Sequence, residues 1–175
     1  GGGLVWPWFG ATGQSVSQDI ANSLGLERPT GVLITAVHKA GAAAKVGITV
    51  GDVVLDVNGH EVNDNTGLRH RIATLPIGDS AVVRLWRGGK TRAVRLALMA
   101  APDKPRKNET KMDGSQPLSG AIVGNMSPAL AERAGVDPFV TGVFIFNIIR
   151  GSPANRLGFR AGDYLRLVNN QPVTS

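Results

Sequence analysis

Apolar residues at Ile20, Ala21 and Leu24 share one face of a short helix, with Ser17 placed as its N-cap and Gly25 as its stop. The run Gly31-Val-Leu-Ile-Thr-Ala-Val37 is β-branched and mostly apolar, which predicts a buried strand, whereas the alanine-rich 41–46 predicts one helical turn closed by Gly47. Val53-Val-Leu-Asp-Val57 predicts a second strand, and Asn58-Gly59 is the dipeptide of a two-residue type I′ hairpin, in which both central residues need positive φ. Asp64 then caps a helix over 64–75, with Leu68, Ile72 and Leu75 on one face and Pro76 and Gly78 ending it. Val83 and Leu85 alternate with Arg84 and Trp86, so 81–86 and 91–98 predict a hairpin across Arg87-Gly-Gly-Lys90.

The pattern then repeats. Residues 31–64 align without a gap on 142–175 at an offset of 111, with identities that include Gly31/Gly142, Ile34/Ile145, Ala43/Ala154, Gly51/Gly162, Asp52/Asp163 and Asn58/Asn169. Upstream, at an offset of 110, Pro7, Gly10, Ala11, Ser17, Ala21 and Gly25 match Pro117, Gly120, Ala121, Ser127, Ala131 and Gly135. Two copies of one module follow. The second stops at Ser175, where the first begins its 64–75 helix, so it is expected to be truncated and to pack as a partial domain against the first copy or another chain. Between them, 101–116 carries prolines and alternating charge but almost no large apolar residue, and it reads as a linker. The expected organisation is residues 1–6 as linker or extraneous residues, domains over 7–100 and 117–175, and an α+β fold throughout.

Composition narrows the classes. There is no cysteine, hence no disulfide and no thiolate zinc site, and the compartment stays open on that ground. The longest apolar stretch, 143–149, contains Asn147 and is far shorter than a membrane span, and Gly1–Gly3 opens no signal-peptide pattern. The net charge of +6 is spread along the chain and is accompanied by only nine aromatic residues, which argues against a nucleic-acid face. His38, His60 and His70 are too scattered for a zinc site and are expected on the surface, and no serine sits in a nucleophile motif. No cofactor, metal or catalytic residue is expected.

These residues resemble a known family. Gly31-Val-Leu-Ile, Ala42-Ala-Ala-Lys-Val-Gly47 and Val50-Gly-Asp-Val-Val-Leu-Asp-Val-Asn-Gly59, preceded by Trp8-Phe-Gly-Ala11 and followed by Leu68, Ile72 and Leu75-Pro-Ile-Gly78, look like a PDZ domain of the bacterial high-temperature-requirement (HtrA, Do or Deg-type) serine proteases. The second copy carries the same signature in Gly142-Val-Phe-Ile, Gly151-Ser-Pro-Ala154 and Gly162-Asp163. The resemblance implies two PDZ-like domains, each a small, partly open β-barrel or sandwich with two or three short helices. Such a domain adds an extended peptide to a sheet edge beside a helix and holds the peptide carboxylate on a turn of backbone N–H groups.

Carried over by resemblance, the carboxylate loop is Trp8, Phe9, Gly10 and Ala11, and the augmented edge runs from Ala11 through Thr12 to Gln14. Phe9, Ala11, Leu24, Leu68 and Ile72 form the pocket for the last peptide side chain, with Arg69 at its rim. Trp6 stands where members often carry a basic residue, so the N–H groups would act without an ionic clamp. The corresponding loop of the second copy is Leu118, Ser119, Gly120 and Ala121. The family's protease module, with its His, Asp and Gly-Asn-Ser-Gly-Gly serine, has no counterpart here, so this chain alone is expected not to hydrolyse peptides.

The implied role is the peptide-binding and assembly region of a periplasmic, trypsin-like serine endopeptidase and chaperone of protein quality control. It would capture hydrophobic C-termini of misfolded proteins for a catalytic domain elsewhere in the protein. The implied partners are those peptides, the protease domain and further copies in a homo-oligomer, with no nucleic acid and no direct membrane insertion. A non-proteolytic PDZ scaffold or secretion adaptor, and the PDZ portion of a membrane metalloprotease or tail-specific protease, stand as alternatives.

Overall fold

The computed structural model describes residues 5–140, 142–168 and 171–174; Gly1–Gly3 and Asn169, the counterpart of Asn58, lie outside the described residues. The chain divides into two compact units, residues 1–101 and 102–175.

The first unit is α+β, with antiparallel strands throughout. Its elements are β1 (Ala11–Ser15), α1 (Gln18–Leu24), β2 (Val32–Val37), α2 (Ala42–Lys45), β3 (Val53–Val57), β4 (His60–Glu61), α3 (Asn65–Ala73), β5 (Ser80–Arg87) and β6 (Lys90–Ala97). The sheet runs β1-β2-β3-β5-β6 with β4 folded onto β3, leaving β1 at an edge. Local chemistry sets the boundaries: the Ser17 side chain accepts the Ile20 N–H, that of Asp64 accepts the Gly67 N–H, and Gly25 closes α1 in the left-handed region. The hairpin after β3 turns on Asn58 and Gly59 at φ +51° and +81°. The final hairpin is tighter than the sequence suggests, because β5 and β6 extend to pair Arg87 with Lys90, leaving only Gly88-Gly89 in the turn. Helix α3 ends at Ala73, two residues short of the predicted Leu75.

Period-two alternation gives this sheet two apolar faces. Val32, Ile34, Val54, Val83 and Leu85 pack with Phe9, Ala42, Ala43, Leu68 and Ile72 in the main core. On the other face, Leu33, Val53, Leu55 and Trp86 receive Val16, Ile20, Ala21 and Leu24. The sheet therefore lies between α1 on one side and α2 with α3 on the other. The Gly51-Asp52 pair holds the turn before β3: Asp52, 1% exposed, accepts the Thr49 N–H at 2.9 Å and takes a two-pronged hydrogen bond from Arg87 at 2.6 Å. Burial alone raises the Asp52 carboxyl, but the bonds from Arg87 and Thr49 outweigh it and hold the group below the ordinary carboxylate range.

The second unit contains β7 (Thr110–Lys111), β8 (Ala121–Asn125), α4 (Pro128–Ala134), β9 (Val143–Ile148), α5 (Pro153–Arg156), β10 (Tyr164–Val168) and β11 (Gln171–Thr174), in the sheet order β11-β10-β9-β8-β7. Several bonds of its framework repeat those of the first unit. Ile34 N–H to Asp52 C=O recurs as Ile145 to Asp163, and Thr49 N–H to Asp52 Oδ2 recurs as Arg160 to Asp163 Oδ2. Ala43 N–H to Phe9 C=O and His38 N–H to Gly10 C=O recur as Ala154 to Ser119 and Ile149 to Gly120. The bulge between Thr12 and Gly13 recurs between Ile122 and Val123.

The stretch expected as a linker, 101–116, is bonded into this unit from its start. The Pro102 carbonyl accepts the Ala129 N–H, the Lys107 carbonyl accepts the Asn125 N–H, and Thr110–Lys111 is the strand β7. Backbone pairing needs no apolar side chains, which is why composition pointed elsewhere.

Candidate functional site

The loop before β1 is held from three sides. The Trp8 N–H donates to the Met99 carbonyl at 2.9 Å, and an isolated bridge joins Pro7 to Ala100. The Phe9 carbonyl accepts the Ala43 N–H, and the Gly10 carbonyl accepts the His38 N–H at 2.8 Å. Gly10 has φ +78°, and a side chain there would put its Cβ 2.5 Å from the Gly41 Cα. Only glycine permits this close backbone crossing at the start of α2. Against these bonds, among the described residues no backbone carbonyl or side chain accepts the N–H of Phe9 or Gly10. Two successive donors at the end of an open sheet edge make a concavity suited to an anion.

His38 encloses this loop. Its ring meets that of Trp8 edge to face at 5.2 Å, and its Nδ1 accepts the Ala40 N–H at 3.1 Å. Burial, with Lys39 nearby, lowers its pKa below the ordinary histidine value. His60 and His70 are exposed, as expected of all three, but His38 is half-buried because the backbone crossing draws it onto Trp8.

The sequence-derived pocket divides in two. Phe9, Ala11, Leu68 and Ile72 come together in the main core, none more than 7% exposed, so in the free chain they fill one another's space. Leu24 does not join them. It packs on the opposite face of the sheet with Leu33 and Trp86, and its carbonyl accepts the Trp86 Nε1–H at 2.8 Å. The face of α1 that carries Ile20 and Ala21 carries Leu24 with it. Arg69 lies exposed on α3 and Thr12 half-buried on β1. In the second unit Leu118 and Ala121 are buried, Ser119 and Gly120 hold the loop as Phe9 and Gly10 do, and the Gly120 N–H is taken by the Met112 carbonyl.

One residue that sequence reasoning missed spans the groove. Just after the edge strand β1 the Val16 N–H bonds inward to the Gly31 carbonyl, so the alternation back along the strand aims the Gly13 N–H outward. There Asn65, first residue of α3, accepts it through Oδ1 at 3.0 Å. An incoming strand needs that donor. Replacing Asn65 with alanine should therefore tighten peptide binding about two- to tenfold, the worth of one hydrogen bond of roughly 0.5–1.5 kcal/mol, as read by calorimetric titration.

Elsewhere the first unit has an open cleft of about 530 Å³ beside Leu26, Leu55 and Trp86, where Arg28 pairs with Glu61 and Arg84 with Asp56. Among the described residues no group of three His, Asp or Glu side chains is placed to hold a metal, and no helix is long and apolar enough to cross a membrane.

Comparison with known proteins adds to this geometry. The profile of the PDZ domain family matches residues 10–98. A probable periplasmic serine endoprotease, DegP-like, of Pseudomonas putida (strain W619) is 35% identical over 171 residues, covering 96% of this chain and 36% of the relative. The protein of the same description from Rhizobium meliloti (strain 1021) is 33% identical over 168 residues, covering 96% of this chain and 33% of its own. The chain thus spans about a third of the length of these relatives. Among solved structures, an HtrA-type protease AlgW with decapeptide superimposes at a TM-score of 0.50 and 24% identity, over 56% of this chain and 30% of that one, a likeness of fold.

Proposed function

Because this chain belongs to the PDZ domain family, we propose that it is the tandem peptide-binding region of a periplasmic serine endoprotease. In this reading it captures hydrophobic C-termini of misfolded proteins by strand addition and presents them to a catalytic domain elsewhere in the protein. Residues 7–100 and 117–175 are the two copies, and the full-length protein assembles as a homo-oligomer. The relatives' descriptions as periplasmic serine endoproteases support the compartment and the enzyme.

The observation that carries the reading is the pair of N–H groups at Phe9 and Gly10 that find no acceptor among the described residues, at the end of the open edge of β1. A peptide carboxylate placed there takes both donors, while its strand pairs with the outward groups of β1 from Ala11 on. Because Trp8 commits its own N–H to Met99, the carboxylate is read by the next two residues. The last side chain enters between Phe9 and the α3 residues Leu68 and Ile72, which must part to admit it.

Burying one Leu- or Phe-sized side chain stabilises by about 1.5–3 kcal/mol, and a few strand bonds at roughly 0.5–1.5 kcal/mol each must offset the cost of ordering a flexible peptide. Affinity should be weak, with Kd about micromolar or poorer. The test is a titration with a short peptide ending in a free hydrophobic residue beside its C-terminally amidated twin. Amidation should weaken binding at least about tenfold, as charge-assisted bonds at roughly 1.5–3 kcal/mol each are lost. Equal binding of the two peptides would refute the carboxylate site.

A further inference from the structure

The edge that would take a peptide in the second unit is already occupied. In sheet order β8 is the counterpart of β1, yet where β1 ends its sheet, β8 has β7 beyond it. Thr110 pairs with Val123 and Lys111 with Ile122, antiparallel. At one end the Lys107 carbonyl accepts the Asn125 N–H at 2.7 Å; at the other the Met112 N–H donates to the Ala121 carbonyl at 2.8 Å. The C-terminal end of the segment thus lies at the loop 118–121, the orientation expected of a peptide on β1.

Its last residue completes the likeness. The Met112 carbonyl accepts the Gly120 N–H at 2.8 Å, and Gly120 is the counterpart of Gly10, whose N–H has no such acceptor among the described residues. The Met112 side chain packs on the cluster of Leu118, Ala121, Val123 and Ile145. Upstream, the Lys107 ammonium sits 4.2 Å from the centre of the Phe146 ring on β9.

We propose that residues 107–112 are a resident ligand of the second copy, an internal strand that ends on Met112 and closes this edge to free C-termini. This rests on reading the equivalent edge of the first copy as a peptide site. The corollary is a recognition class for the second copy: an internal segment, without a terminal carboxylate, carrying a Met-sized apolar residue at the loop and a lysine five residues before it. A strand tethered to its edge through residues 112–120 faces it at an effective concentration on the order of millimolar. A free peptide of micromolar-or-poorer affinity then binds there at least about tenfold more weakly than at the first copy.

The test uses the 15N-labelled full chain, followed by amide exchange and by titration. In the wild type the N–H groups of Gly120 and Asn125 should exchange slowly, and a free-carboxylate hydrophobic peptide should shift residues 9–15 and 65–72 but not 119–125. In Met112→Glu, exchange at Gly120 and Asn125 should rise at least tenfold, and an amidated peptide with the sequence of residues 106–112 should now shift 119–125. Dispersed resonances of Phe144 and Ile145 report that the unit is folded. If they collapse, Thr110→Pro, which removes a strand donor without touching the apolar cluster, takes its place. The proposal is overturned if the wild-type 119–125 edge takes the free-carboxylate peptide as tightly as the first copy does, or if the folded variant keeps wild-type exchange. A peptide that shifts neither edge would count against the first-copy reading alone, since exchange at Gly120 and Asn125 is measured without it.

Discussion

Replacing Arg87 with alanine should destabilise the first unit by about 3 kcal/mol, the lower end of what breaking a buried ion pair costs, because the Arg87 side chain is itself 34% exposed. The substitution strands the Asp52 carboxylate, 2% exposed as a side chain, with only Thr49 to bond it. It also deprives the Gly47 carbonyl of its partner at 2.7 Å. All three tryptophans, Trp6, Trp8 and Trp86, lie in residues 1–101, so their fluorescence follows this unit selectively, and its midpoint should fall by roughly 10 °C or more.

The effect depends on pH with a definite sign. The folded-state pKa of Asp52 lies below its ordinary value of 3.8, so the stability it contributes is fully present above pH 3.8 and is lost as the pH falls through the lower, folded value. The difference between wild type and Arg87→Ala should accordingly be largest at neutral pH and shrink in acid. A difference that grows on acidification would refute the account.

The second large effect is expected at Gly10. Gly10→Ala meets the Gly41 Cα at 2.5 Å, and it also forces a β-carbon onto a backbone with φ +78°. The conformational part costs about 1–2 kcal/mol. The steric part displaces the loop from the start of α2, raising the total to roughly 3 kcal/mol or more, and with it goes the alignment of the Phe9 and Gly10 N–H groups. Gly47→Ala is the control: its φ is +81° but its β-carbon meets nothing within 4 Å, so it should cost only the conformational part. Denaturant unfolding by tryptophan fluorescence should separate the two variants. Peptide binding should be lost in Gly10→Ala and kept in Gly47→Ala.

Most of the first unit was legible in the sequence because its punctuation is local. Ser17, Gly25, Asn58-Gly59 and Asp64 each act through bonds or dihedrals within a few residues, and each stands where its chemistry demands. What escaped is what depends on residues distant in sequence. Leu24 shares a helix face with core residues under either packing, and nothing in the 17–24 pattern says which side of the sheet that face meets. The Asp52–Arg87 pair and the Asn65–Gly13 bond join residues 35 and 52 positions apart, and neither pair is marked by periodicity. Strand β7 was invisible for the opposite reason: with Thr110 and Lys111 as its side chains it has no apolar pattern, and its place is set by backbone bonds, by Met112 and by Lys107 over the Phe146 ring.

The shortness of the edge strand β1 bears on how such a protein stays in solution. A peptide-accepting edge is by construction a row of unsatisfied backbone groups, the feature that lets strands from different molecules polymerise. Here the exposed row is only five residues long and has one of its donors taken by Asn65. A single extended segment can still be laid against such an edge, but a long flat strand from a second molecule finds only a short ladder to extend. The short, partly capped edge that limits affinity for any one peptide thus also protects the protein from aggregating through its own binding site.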